Sequence, residues 1–196
     1  MKVIYIRPAK SSGYLSVGIM TDEEEKRAFV VSEEDYAEAG APMTADELSP
    51  SAYTLIAASD ERYRARMAAL RILSYADNNE RSLIRKLVGK GISYATAEDV
   101  AHEMVGRGYI NEQKQLMRLV AYEANTALSG PRKIRAKLSL KGYKTADIEC
   151  AMDELTSSGE VDFERSAAAL REKKLTRGAT EEEIKKLLYK YGYSIC

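Results

Sequence analysis

The chain has 196 residues, 45% of them hydrophobic and 31% charged, the composition of a globular protein rather than a disordered one. Its 30 Lys and Arg balance 30 Asp and Glu, so no overall charge draws it to an anionic partner, and no apolar run approaches the ~20 residues that span a bilayer. The first residues, with a charge inside the apolar stretch, do not read as a signal peptide, and the two cysteines, Cys150 and Cys196, form neither a CxxC nor a metal spacing, which fits a reducing cytoplasm.

Neutrality hides an asymmetry. Residues 1–60 hold 5 basic against 11 acidic side chains, and the remainder holds 25 against 19. Residues 2–7, rich in β-branched and aromatic side chains, predict a strand. A turn at 8–13 leads to a second strand at 14–20, a charged turn at 22–26 and a third strand at 28–32. Ser32 is placed to cap a short helix over 33–39, which Gly40 ends. This β-hairpin-like element, with a connector at 41–50 containing Pro42 and Pro50, is too short to be read as an independent domain.

From there the chain reads as helical. Residues 53–75 form a helix whose apolar stripe is set by Met67, Ala69, Leu70 and Leu73, and Asn78-Asn79 breaks it. Helices follow at about 80–90, stopped by Gly91, and under the stripe Ala97, Val100, Ala101, Met104 and Val105, stopped by Gly108. The same order returns as helices at 112–128, 131–141 and 146–157, and again at 162–175 and 180–191. Asn111 and Asp162 suit N-caps, and Thr180 with Glu183 forms a capping box.

This order is a repeat. Leu83, Leu87, Lys90 and Gly91 return 51 residues later as Ile134, Leu138, Lys141 and Gly142, and Ile184, Leu188, Gly192 and Tyr193 echo them at an offset of 50. Each copy is an amphipathic helix closed by a C-cap glycine. The expected architecture is mainly α: tandem three-helix repeats in an elongated, curved array behind a small N-terminal β element. The divisions are 1–50, 51–110, 111–161 and a truncated third repeat at 162–196, whose open end calls for packing or a partner.

Residues Ser129-Gly130-Pro131-Arg132-Lys133-Ile134-Arg135-Ala136-Lys137-Leu138, with Lys141-Gly142-Tyr143, resemble the RecX family, bacterial modulators of the recombinase RecA. Ala69-Leu70 through Lys90-Gly91 is similar to that family's opening repeat, and Gly108-Tyr109-Ile110-Asn111-Glu112 to its inter-repeat junction. Leu116 stands where the family carries an aromatic, a local departure. The resemblance covers roughly residues 60–193. It implies a monomeric, non-enzymatic regulator lying in the groove of the RecA–DNA filament, lowering ATP turnover and strand exchange, with no cofactor.

The residues themselves point to a basic surface. Arg132, Lys133, Arg135, Lys137 and Lys141 crowd one short helix that contains no acid, a repulsion that an anionic partner would relieve. Arg81, Arg85, Lys86 and Lys90 echo them in the first repeat, and Lys185, Lys186 and Lys190 in the third. On this reading, replacing Arg132, Lys133 and Arg135 would weaken partner binding and leave the fold intact. The bland alternative is a solvated face, with Gly130-Pro131 only a helix start. Tyr109, Tyr143 and Tyr193, after glycines, read as packing residues rather than base-stacking platforms. The lone His102 has no cysteine at metal spacing, and no phosphate-binding or nucleophile motif is present. Two other functions remain: a DNA reader whose three-helix units act as helix-turn-helix elements, binding single- or double-stranded DNA directly, and a helical adaptor.

Overall fold

The computed structural model describes residues 1–176 and 178–194; Cys196 lies outside them. Packing divides the chain into two units, Met1–Ala76 with Leu83–Met104, and Asp77–Ser82 with Val105–Cys196.

In the first unit, strands β1 (Lys2–Pro8), β2 (Tyr14–Met20) and β3 (Lys26–Ser32) form an antiparallel meander in the order β1-β2-β3. Val3, Val17, Ile19, Phe29 and Val31 are buried together with Tyr36 of helix α1 (Glu33–Glu38) and Ala52 and Ile56 of helix α2 (Pro50–Tyr75). Ser32 caps α1 by accepting from Asp35 N, as its position predicts. β3 starts two residues before the expected strand, because Lys26 and Arg27 already pair with Met20 and Ile19. The expected connector runs along β1, where Val3 N donates to Asp46 O at 3.0 Å.

α2 begins at Pro50 under a Ser49 cap, and of the predicted apolar stripe only Ala69 is fully buried. Ala65 and Ala69 are buried, whereas Met67 and Leu70 are exposed and Leu73 is half-buried. Ser59 and Asp60 are buried instead, for a polar reason. β3 is an edge strand, and its amides at Val30 and Ser32 donate to Asp60 Oδ1 (2.8 Å) and Ser59 Oγ (3.1 Å). An edge that would otherwise offer unpaired amides is closed by helix side chains. Helices α3 (Glu80–Val88) and α4 (Tyr94–Gly106) carry the buried Leu83 and Leu87, and Ala97, Val100, Ala101 and Met104, respectively.

The second unit holds α5 (Glu112–Asn125), α6 (Pro131–Leu140), α7 (Thr145–Ser157), α8 (Phe163–Leu175) and α9 (Glu181–Tyr191). Its core joins Leu116 and Val120 of α5, Ile134 and Leu138 of α6, and Ile148, Met152 and Leu155 of α7. α5 stops three residues short of the expected 128: Ala127 N turns back to Tyr122 O, five residues earlier, and Leu128 takes positive φ (50°), which α-helix geometry does not allow. The Asn111, Asp162 and Thr180 caps form as the sequence predicts, including both halves of the Thr180/Glu183 box. Ile184 is buried, but Leu188 is only half-buried, short of the expectation for the third repeat.

The repeated glycines have a shared task. Gly91, Gly142 and Gly192 all adopt positive φ (84°, 99° and 92°), closing α3, α6 and α9. Two of these closures receive the N-terminus of another helix inside the second unit. Asn79, which caps α3 by accepting from Ser82 N at 2.8 Å, donates from Nδ2 to Lys141 O at 3.0 Å. At the matching place one repeat later, Gly130 N donates to Tyr191 O at 2.7 Å and Arg132 N to Gly192 O at 3.2 Å. Amides that α6 leaves unpaired thus meet carbonyls that α9 leaves unpaired. The approach is close: a Cβ on Gly130 would sit 2.6 Å from the Gly192 carbonyl carbon. The Gly130-Pro131 pair is therefore more than a helix start.

Gly130→Ala should lower unfolding stability by about 1–3 kcal/mol through overpacking at this joint. Gly106→Ala, at the end of α4 with open space around the added methyl, should leave stability level or raise it by up to about 1 kcal/mol. Urea denaturation of the two variants checks the contrast.

Candidate functional site

The basic residues of α6 are not a free array. The Arg132 guanidinium donates to Tyr189 O at 2.6 Å and stacks on the Tyr189 ring, its Cζ 3.9 Å from the centroid. Lys133 Nζ lies 3.9 Å from the centroid of Tyr191. Arg135 binds both carboxylate oxygens of Glu149 on α7, at 2.5 and 3.0 Å. Lys137 Nζ contacts both oxygens of Glu123 on α5, at 2.9 and 2.7 Å. The helix contains no acid, but its neighbours supply acids and aromatic faces. Glu123 and Glu149 each stand 14 residues from their partners in sequence, outside the helix that shows the repulsion.

These pairs set the local electrostatics. Burial pulls the Glu123 carboxyl up, yet hydrogen bonds from Lys137 and from Ser129 hold it below its ordinary value. The Glu149 carboxyl is likewise held down, chiefly by its bond from Arg135, and that bond raises the Arg135 guanidinium. Burial pushes the Tyr193 phenol up to about 12, and its hydroxyl donates to Leu128 O at 3.1 Å. Tyr143 is buried too, its hydroxyl donating to Gln115 Oε1 at 3.2 Å; burial first, then Glu112 and Asp77, hold its phenol above the usual range. Both tyrosines are packing residues, as expected, while Tyr109 is exposed.

The remaining candidates differ from those of α6. Arg81, Arg85, Lys90, Lys141, Lys185 and Lys190 are exposed and take part in no internal ion pair among the described residues. Lys86 is exposed and has an interaction within the chain, and Lys186 pairs with Glu182 four residues earlier at 3.1 Å. The aliphatic stem of Arg81 lies beside Gly142, within ordinary contact of where a Cβ there would stand, so Arg81 and Lys141 flank one joint. Among the described residues there is no group of three or more His, Cys, Asp or Glu able to hold a metal ion, and no helix is long and apolar enough to cross a membrane. His102 is exposed.

Known proteins share this sequence order and this fold. A regulatory protein RecX of Pseudomonas fluorescens (strain SBW25) is 29% identical over 105 residues, covering 54% of this chain and 67% of its own length. A regulatory protein RecX of Geobacillus sp. (strain WCH70) is 25% identical over 154 residues, covering 77% of this chain and 56% of that relative. A crystal structure of regulatory protein RecX superposes with a TM-score of 0.73 at 24% identity, covering 98% of this chain and 94% of that one. The chain is RecX-like. A second crystal structure, of RecX from Lactobacillus salivarius, matches with a TM-score of 0.60 at 23% identity over 69% of this chain and 90% of that one. No family model matches. The chain thus spans about two thirds of the Pseudomonas relative and just over half of the Geobacillus one.

Within the RecX-like motif at 129–138, the basic pair Arg132-Lys133 lies against Tyr189 and Tyr191, so its replacement should also loosen the joint between α6 and α9. Arg132→Ala with Lys133→Ala should remove two cation–π contacts, about 0.5–1 kcal/mol each at exposed sites. Backbone hydrogen exchange should then accelerate in α9 and stay unchanged in the α5–α7 core. The ion pair at Glu123 makes a second prediction. With its folded value lowered, its contribution to stability is fully present above the ordinary carboxylate range and is lost as pH falls through the depressed value. Lys137→Ala should flatten that acid branch of the stability–pH curve.

Proposed function

We propose that this protein binds the RecA–DNA filament in the cell cytoplasm and inhibits its ATP turnover and strand exchange, modulating recombination and DNA repair. The RecX-like sequence order and fold support a regulatory role, and the observation that carries the surface is the set of unpaired cations. Arg81, Arg85, Lys90 and Lys141 stand exposed around the second helices of the first two repeats, with Lys90 and Lys141 at equivalent places, and no carboxylate among the described residues neutralises them. Lys185 and Lys190 continue the set in the third repeat. A protein that leaves such cations in solvent while satisfying those of α6 internally is suited to a polyanionic partner. We read residues 51–110, 111–161 and 162–196 as the repeats that present them, with 1–50 as the leader, and the chain as a monomer acting without chemistry of its own.

The test is DNA-dependent ATP hydrolysis by RecA with and without this protein. Wild-type protein should lower turnover. Replacing Arg85, Lys90 and Lys141 together by Ala should raise the concentration needed for half-inhibition by about tenfold, with each lost phosphate contact flattening the log–log salt dependence by ~0.7–0.9. Arg135→Ala, whose guanidinium already binds Glu149, should inhibit as the wild type does. Tight, sequence-selective binding to duplex DNA in the absence of RecA, with no effect on its turnover, would favour the direct DNA reader instead.

A further inference from the structure

The two complete repeats differ on the face formed by their first and third helices. In the first unit, Arg66 of α2 lies against α4, its Nε donating to Glu103 Oε2 at 2.7 Å and its Nη1 to Tyr14 Oη at 3.1 Å. Tyr14 comes from β2 and packs on Tyr63 of α2, ring centroids 4.9 Å apart, and Ser11 Oγ meets the Tyr63 hydroxyl at 2.9 Å. An arginine fills this groove and an aromatic residue of the sheet closes it.

The offset of 51 carries Arg66 to Met117, Ala65 to Leu116 and Glu103 to Glu154. Among the described residues the second unit contains no strand to cover the equivalent face. A groove of about 280 Å³ lies there between α5 and α7, floored by Leu116, Met117, Tyr143 and Ala151 and rimmed by the carboxylates of Glu112, Asp147 and Glu154. Glu112 accepts from Glu80 N at 2.8 Å, but no hydrogen bond or ion pair reaches the Glu154 carboxylate among the described residues. Where the first unit supplies its own arginine, the second presents an apolar floor beside an unpaired acid.

We infer that the α5/α7 groove of the second unit docks an arginine-bearing, apolar segment of a partner protein, its guanidinium meeting Glu154 as Arg66 meets Glu103. An acidic rim repels a phosphate backbone, so this face takes protein rather than nucleic acid. A guanidinium that leaves bulk water for a carboxylate beside apolar walls gains more than one on an open surface, and the planar fork suits two carboxylate oxygens. The inference does not depend on which protein supplies the segment, and it goes beyond the RecA reading.

The groove can be tested without the natural partner. The probe is the tripeptide N-acetyl-Leu-Arg-Tyr-amide, titrated to about 1 mM and above into the full chain labelled for amide NMR, a range suited to weak docking. Resonances of Met117, Tyr143, Ala151 and Glu154 should move together, with N-acetyl-Leu-Gln-Tyr-amide binding at least fivefold more weakly. Met117→Arg rebuilds the internal pair of the first unit; it should keep the wild-type melting temperature and lose the peptide response. Glu154→Gln should weaken binding without filling the groove, so the two variants report independently should either fold poorly. Equal response to both peptides, an undiminished response in both variants, or no response at these residues in the wild type would each overturn the proposal.

Discussion

The meeting of one helix start with another helix end governs the second unit. A helix leaves amides unpaired at its beginning and carbonyls unpaired at its end. The chain answers both deficits at once, by setting Gly130 and Arg132 against Tyr191 and Gly192. The contact requires two absent side chains: one at Gly130, for space, and one at Gly192, which also turns through positive φ. Asn79 against Lys141 uses a side-chain amide where the later joint uses backbone, so the same geometry is reached by two chemistries. Tyr189, Tyr191, Arg132 and Lys133 then fasten the later joint from outside.

This arrangement divides the positive charge into two populations. The cations of α6 pair with Glu123 and Glu149 or lie on tyrosine rings, so each has a partner within the fold. Those at Arg81, Arg85, Lys90 and Lys141 remain in water, where a partner can reach them. A cluster of like charge in a sequence therefore has two physical resolutions, intramolecular neutralisation or binding, and neighbouring helices decide which applies.

The N-terminal sheet is part of the first unit's packing rather than an appendage. Ser59 and Asp60 satisfy the outer amides of β3, and Tyr14 closes the groove holding Arg66. Repeat equivalence thus extends to helices and caps but not to their surroundings. The substitution of Arg66 by Met117 one repeat later coincides with the loss of a covering strand, and it leaves an acid-rimmed apolar groove.

Much of the fold was legible because it is written locally. The strands at 14–20 and 2–7, the caps at Ser32, Asn111, Asp162 and Thr180, and the glycine stops depend on residues within a turn of one another. The 51-residue offset exposed the repeat for the same reason: equivalent positions demand equivalent side chains. What sequence could not show were pairings across distance. A stripe through Met67, Leu70 and Leu73 looked like the buried face of α2, but the position of β3 turned Ser59 and Asp60 inward, since unpaired strand amides require acceptors. The crowd of cations on α6 looked like a free site, but Glu149, Glu123 and Tyr189 arrive from other helices. Sequence by itself determined which segments are helix or strand and where the capped ends lie, because backbone preference and capping are short-range. Only tertiary structure decided which charges are spent inside and which face water, because an ion pair depends on where two helices meet, and neither helix encodes that alone.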